Sequence, residues 1–97
     1  MEATLNVHIV QHMPDGSRWN RGHARLKTQL PGATRRGDEI ADKSWATPRS
    51  IKRVSIDCCG ATRSLEIHMG DDVVLSDAHW DTHVGLYEAN GWLVSRG

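Results

Sequence analysis

At 97 residues the chain has room for one domain with a single modest core, and no apolar run approaches the roughly 20 residues that cross a bilayer. Twelve Lys and Arg balance twelve Asp and Glu, so the net charge is zero, which argues against avid polyanion binding by the chain as a whole. The N-terminus has neither the basic segment nor the apolar run of a signal peptide, and the expectation is one soluble, cytoplasmic domain over residues 1–97.

From Ala3 to His12, Leu5, Val7 and Ile9 alternate with Asn6, His8, Val10 and His12, and this period of two predicts a half-buried strand. Pro14-Asp15-Gly16 then supplies a reversal, because proline fixes φ and glycine accepts the left-handed region. Alternation resumes from His23 to Leu30, with Ala24, Leu26, Thr28 and Leu30 opposed to His23, Arg25, Lys27 and Gln29. This predicts a second strand antiparallel to the first. The polar stretch between them, Ser17 to Gly22, extends the hairpin or bulges out of it.

Pro31-Gly32 ends that strand, and the residues up to Pro48 read as a long irregular loop. Ser50 to Ser76 then reads as three short strands. Val54, Ile56 and Cys58 alternate with Arg53, Ser55 and Asp57; Leu65, Ile67 and Met69 alternate with Ser64, Glu66 and His68; Val73 to Leu75 closes the set. Gly60 and Gly70-Asp71-Asp72 supply turns, so the expected unit is an antiparallel meander with Ile56 and Ile67 facing one another in the core.

Two readings compete for residues 78–94. Asn90-Gly91 before Trp92-Leu93-Val94 is a strong hairpin signal, and Thr82, His83, Val84 and Gly85 are poor helix formers, which favours a hairpin. The alternative is a helix near residues 78–89, with Asp77 as N-cap, Trp80, Val84 and Tyr87 on one face, and Gly91 at the C-terminal end. The fold expected of the whole is mostly β: a small antiparallel β-barrel or curved β-sheet of six to eight strands. With the helix it becomes α+β.

The zero net charge conceals an asymmetry. Residues 1–63 hold eleven basic against six acidic residues, a balance of plus five, while residues 64–97 hold one against six, a balance of minus five. Trp19 lies among Arg18 and Arg21, and Trp45 near Arg49, Lys52 and Arg53. Small β-barrels bind nucleic acid by stacking bases on aromatic residues within a basic groove, so these seven residues form a candidate surface for an acidic partner, protein or nucleic acid.

His79 and His83 are four apart, which on a helix places two imidazoles on one face. With Asp81 or Asp77 they form a candidate divalent-metal site. On a strand their Cα atoms would lie roughly 13 Å apart and could not share an ion. His8 and His12 repeat the spacing on a predicted strand and meet the same objection. Cys58 and Cys59 are neighbours whose side chains would point to opposite faces of a strand, which disfavours a disulfide between them, and they lack a second cysteine pair for a zinc knot. Cys58 beside His68 is a further arrangement for a nucleophile and its base.

No phosphate loop, nucleotide fingerprint or nucleophile elbow occurs, and no catalytic constellation is assembled. The expectation is a binding or interaction module without a cofactor. The alternatives are a nucleic-acid-binding small β-barrel, a small-molecule pocket protein and a metal-dependent hydrolase. The arginine-rich, phenylalanine-free composition suits a GC-rich bacterial source, and short single-domain proteins are frequent on phages and mobile elements. Open sheet edges make a homodimer a further expectation.

Overall fold

The computed structural model describes residues 1–57 and 63–96, and Cys58, Cys59 and the Gly60 turn lie outside the described residues. The elements in chain order are β1 (Glu2–His12), β2 (Arg18–Gln29), β3 (Glu39–Ile40), β4 (Arg49–Ser50), β5 (Arg53–Asp57), β6 (Ser64–His68), β7 (Asp72–Val74), α1 (Asp77–Ala89) and β8 (Leu93–Arg96). Six strands form one sheet in the order β5-β6-β1-β2-β8, with β7 also paired to β1, while β3 and β4 form a separate ribbon. The protein is therefore mostly β, as expected, but the sheet is open and mixed and does not close into a barrel.

The β1–β2 hairpin turns at Gly16, whose φ of 86° is the left-handed conformation the Pro-Asp-Gly sequence calls for. The stretch from Ser17 to Gly22 both extends the hairpin and bulges. Ile9 pairs with Gly22 and Val10 with Asn20, which leaves Arg21 as the extra residue. Glycine is required at position 22, because a Cβ there would lie 2.5 Å from the Ser95 carbonyl oxygen and 2.6 Å from the Trp80 ring.

The expected meander is corrected in two ways. First, Gly70-Asp71 does not reverse the chain. Strands β6 and β7 both run parallel to β1, with Ile67 opposite Leu5 and Asp72 opposite Ile9. Five residues of one strand thus span four of the other, and the irregularity at Met69 to Asp71 absorbs the extra one. It keeps Asp72 and Val74 on the inner face, where both are buried. Second, Ile67 is fully buried but Ile56 is 59% exposed. Val54, not Ile56, sits opposite Ile67, and Ile56 lies on the edge strand β5, while α1 packs against β7 and β8.

Residues 77–89 form a helix, not the hairpin that local propensity favoured. Ser76 rather than Asp77 is the N-cap, its Oγ accepting the His79 backbone N–H at 3.1 Å. Gly91, at φ 88°, lets the chain leave the helix. Trp80, Val84 and Tyr87 are buried, and at roughly 1.5 to 3 kcal/mol per large apolar side chain their burial outweighs the roughly half kcal/mol lost at each of Thr82, His83 and Val84 and about 1 kcal/mol at Gly85. The helix covers one face of the sheet, where an opposite wall would stand in a barrel. Beneath it Ala3, Leu5, Val7, Ile9, Ala24, Leu65 and Ile67 join Trp45, Ile51 and Trp92 in a single core.

The other face of the sheet is polar. At its centre Asn6 is only 4% exposed, and its Nδ2 lies within 3.2 Å of the Thr4 and Ile67 carbonyl oxygens and of Glu66 Oε2. No helix among the described residues is long and apolar enough to cross a membrane.

Candidate functional site

The segment before β5 carries little regular structure, yet it is firmly attached. Glu39 pairs with Ser50 and Ile40 with Arg49, while Ile51 donates its N–H to the Asp38 carbonyl at 2.8 Å and accepts that of Gly37 at 3.0 Å. This ribbon inserts Trp45 into the core and places Arg49 at the surface just above it, with its guanidinium 4.7 Å from the Trp45 ring centroid.

Arg49 donates to Oδ1 of Asp72, the first residue of β7, which is only 6% exposed. The second carboxylate oxygen, Oδ2, accepts the Tyr87 hydroxyl from α1, and Tyr87 Oη in turn accepts the Trp45 indole N–H at 3.0 Å. Burying a carboxylate costs several kcal/mol unless donors compensate it, and here a guanidinium and a phenol do so. Burial, reinforced by the hydrogen bond to Asp72, pushes the Tyr87 phenol well above its ordinary range, so Tyr87 stays a donor. His83 Nε2 stands 3.8 Å from Asp72 Oδ2, near enough for attraction when protonated but too far for a hydrogen bond.

Above Asp72 opens a cleft of about 440 Å³, bordered by Arg49, Lys52, Asp71 and His83. Asp72 accepts one donor on each carboxylate oxygen, Tyr87 holds its proton, and Ser50 at the rim has no hydrogen-bonded base among the described residues.

The seven residues of the expected basic surface fall in three places. Trp45, Arg49 and Lys52 gather at the cleft, with Trp45 buried beneath it. Arg18, Trp19 and Arg21 lie at the far end of the β1–β2 hairpin. There Trp19 is 58% exposed, and Arg21 is held between the rings of Trp19 and Trp80 by bonds to Gln11 at 2.6 Å and Asp77 at 2.7 Å. Arg53 pairs across to His68 on the uncovered face of the sheet.

The helix does bring His79 and His83 together, their ring centroids 4.6 Å apart. However, His79 Nδ1 accepts the Leu75 N–H at 3.2 Å, and Asp81, two residues from each, lies on the opposite side of the helix. Among the described residues no group of three or more His, Cys, Asp or Glu is placed to hold a metal ion.

Asp72 and Tyr87 are the residues that sequence reasoning missed as partners. Asp72 reads as a turn acid, and its one signal is that it shares the parity of Val74. No family model, curated protein or solved structure matches this chain.

Proposed function

We propose that this protein is a non-enzymatic binding module and that the Asp72 cleft receives an anionic group of an acidic partner. The observation that carries this reading is the state of Arg49. Its bond to Asp72 and its stacking on Trp45 fix the guanidinium before any ligand arrives, and about a third of the side chain stays open beside Lys52. An arginine offers five N–H donors, and Asp72 uses only part of that fork. Pre-organisation of this kind lowers the ordering cost of binding.

The test is a titration of the isotope-labelled protein with a ten-residue oligo-aspartate, followed residue by residue by NMR. Shifts at Ser50, Lys52, Asp71 and His83 are expected, with Lys52→Gln weakening affinity about two- to fivefold, the effect of one exposed ion pair. Undisturbed signals at those four residues refute the reading.

A second reading rests on Trp19. An exposed indole flanked by Arg18 and Arg21 is a platform on which a base of single-stranded nucleic acid can stack. Quenching of Trp19 fluorescence by an oligonucleotide, lost in Trp19→Ala, supports it, and unchanged emission removes it. Homodimerisation would use β5 or β8, the two ends of the sheet. Light scattering over a concentration series tests it, and a constant monomer mass excludes it.

A further inference from the structure

The face of the sheet that α1 leaves uncovered carries a cluster unrelated to the cleft. His8 of β1 and His23 of β2 are directly paired, with rings stacked at 4.6 Å and 9°. His68 of β6 lies diagonally across, opposite Asn6. His23 Nε2 is buried and has no hydrogen-bond partner among the described residues. Such an atom calls for an acceptor once it gains a proton.

The surrounding charges are mostly positive. On β2 the neighbours are Arg25 and Lys27, on β5 Arg53, and beyond the bulge the His12–Arg18 pair continues the same face. The carboxylates at positions of this face are Glu66 of β6, 3.7 Å from Arg25, Glu2 at the start of β1, and Asp57 of β5, in register with Ser64. Strand β8 contributes Ser95 and Leu93 and no charge on this side. Beside Leu93, which is 76% exposed, a groove of about 400 Å³ at this edge of the sheet is lined by Thr4, Arg25, Leu26, Lys27 and Gly91.

We infer that this face is a proton-dependent docking surface for an acidic polypeptide, which binds more tightly as the imidazoles of His23 and His68 become charged. The inference rests on the reading of the protein as a binder of acidic partners, and adds both the partner's class and its regulation. A polypeptide is favoured over nucleic acid for two reasons. The face offers no Trp or Tyr, and His8 and His23 already cover one another's rings. The groove beside Leu93 suits an aliphatic side chain, with carboxylates reaching Arg25 and Lys27 in its lining.

The proton linkage has a defined sign. Burial first, then the charges of His8 and Arg25, hold His23 below the ordinary imidazole range; burial and Arg53 do the same for His68. A bound row of carboxylates raises both. Binding therefore takes up protons, and affinity rises as pH falls.

The experiment measures fluorescence anisotropy of labelled oligo-aspartate, which stays ionised at pH 5.5, against the full chain at pH 7.5 and 5.5. Affinity is expected to rise about tenfold or more over that interval, as uptake of at least half a proton requires. Arg25→Gln with Lys27→Gln should weaken binding at both pH values. His8→Gln with His23→Gln should remove most of the pH dependence, with circular dichroism confirming the fold. Should that variant not fold, NMR titration of His23 and His68 with and without peptide decides, since the inference requires the pKa values of these two to rise on binding.

A pH-independent affinity that Lys52→Gln weakens overturns this inference and leaves the cleft reading standing. Undisturbed cleft signals with a retained pH effect do the reverse. Equal binding of oligo-thymidylate, or acid-induced self-association in place of peptide binding, also overturns it.

Discussion

Tyr87→Phe is the sharpest probe of the buried network, because it deletes one oxygen and changes almost nothing else in shape. The lost hydroxyl is the donor to Asp72 Oδ2 and the acceptor for the Trp45 indole N–H. A hydrogen bond to a charged group contributes about 1.5 to 3 kcal/mol, and a buried N–H left unpaired costs about 1 to 3 kcal/mol. Allowing for partial relaxation, the variant should lose about 3 kcal/mol or more from a total that for a domain of this size is about 5 to 10 kcal/mol. At roughly 4 to 8 °C per kcal/mol, the melting temperature should fall by at least about 12 °C. The assay is thermal and urea unfolding by circular dichroism. Trp45→Phe should cost less in the Tyr87→Phe background than alone, because its partner is already gone. A Tyr87→Phe variant within about 0.5 kcal/mol of the parent would refute the argument, showing that water already satisfies Asp72 and Trp45.

Three further outcomes follow from the packing and the charges. Gly22→Ala should destabilise by about 1 to 3 kcal/mol in urea melts, since the added methyl meets the Ser95 backbone and the Trp80 ring, and the backbone cannot swing aside. Ile67→Ala should cost about 2 to 5 kcal/mol whereas Ile56→Ala should stay within about 0.5 to 1 kcal/mol; equal losses would mean that β5 is more deeply covered than its exposure indicates. In acid, the unfolded chain protonates its histidines near pH 6.5 while folded His23 and His68 resist. The unfolded state then binds more protons, and stability should fall as pH drops from about 7 to 5. His23→Gln should flatten that slope, and an unchanged slope would remove His23 from the account.

How much of this was legible in the sequence depends on whether local or distant contacts decided the outcome. The β1–β2 hairpin was readable because its turn and both alternating faces lie within one continuous stretch. The helix was underestimated because Thr82 to Gly85 report only local preference, whereas its stability comes from Trp80, Val84 and Tyr87 meeting residues far away in the chain. The third strand of the expected meander failed for a related reason. Gly70-Asp71 has the composition of a turn, but whether such a pair reverses a chain or bulges depends on the neighbouring strand. Here that neighbour is β1, already placed to accept a parallel partner on the same edge.

The charge pattern shows the same division between composition and arrangement. The basic excess before residue 64 was countable, but its distribution was not, because strand parity and a single bulge sort those residues onto different faces. Arg25, Lys27 and Arg53 go to the uncovered side of the sheet, whereas Arg21 and Arg49 go to the helix side and meet Asp77 and Asp72. Those two pairs, with the longer and more exposed Arg25–Glu66 pair at 3.7 Å, join the basic part of the sequence to the acidic part. They are not equivalent, since Asp77 is exposed and screened by solvent while Asp72 is buried, and a buried carboxylate stripped of its guanidinium has no water to replace it. The long-range attraction implied by the two halves of the sequence therefore acts chiefly at Arg49, the residue that also faces the cleft. A group that engaged the free part of that guanidinium would also touch one of the bonds that hold the irregular segment to the sheet, and its binding would be coupled to the stability of the fold.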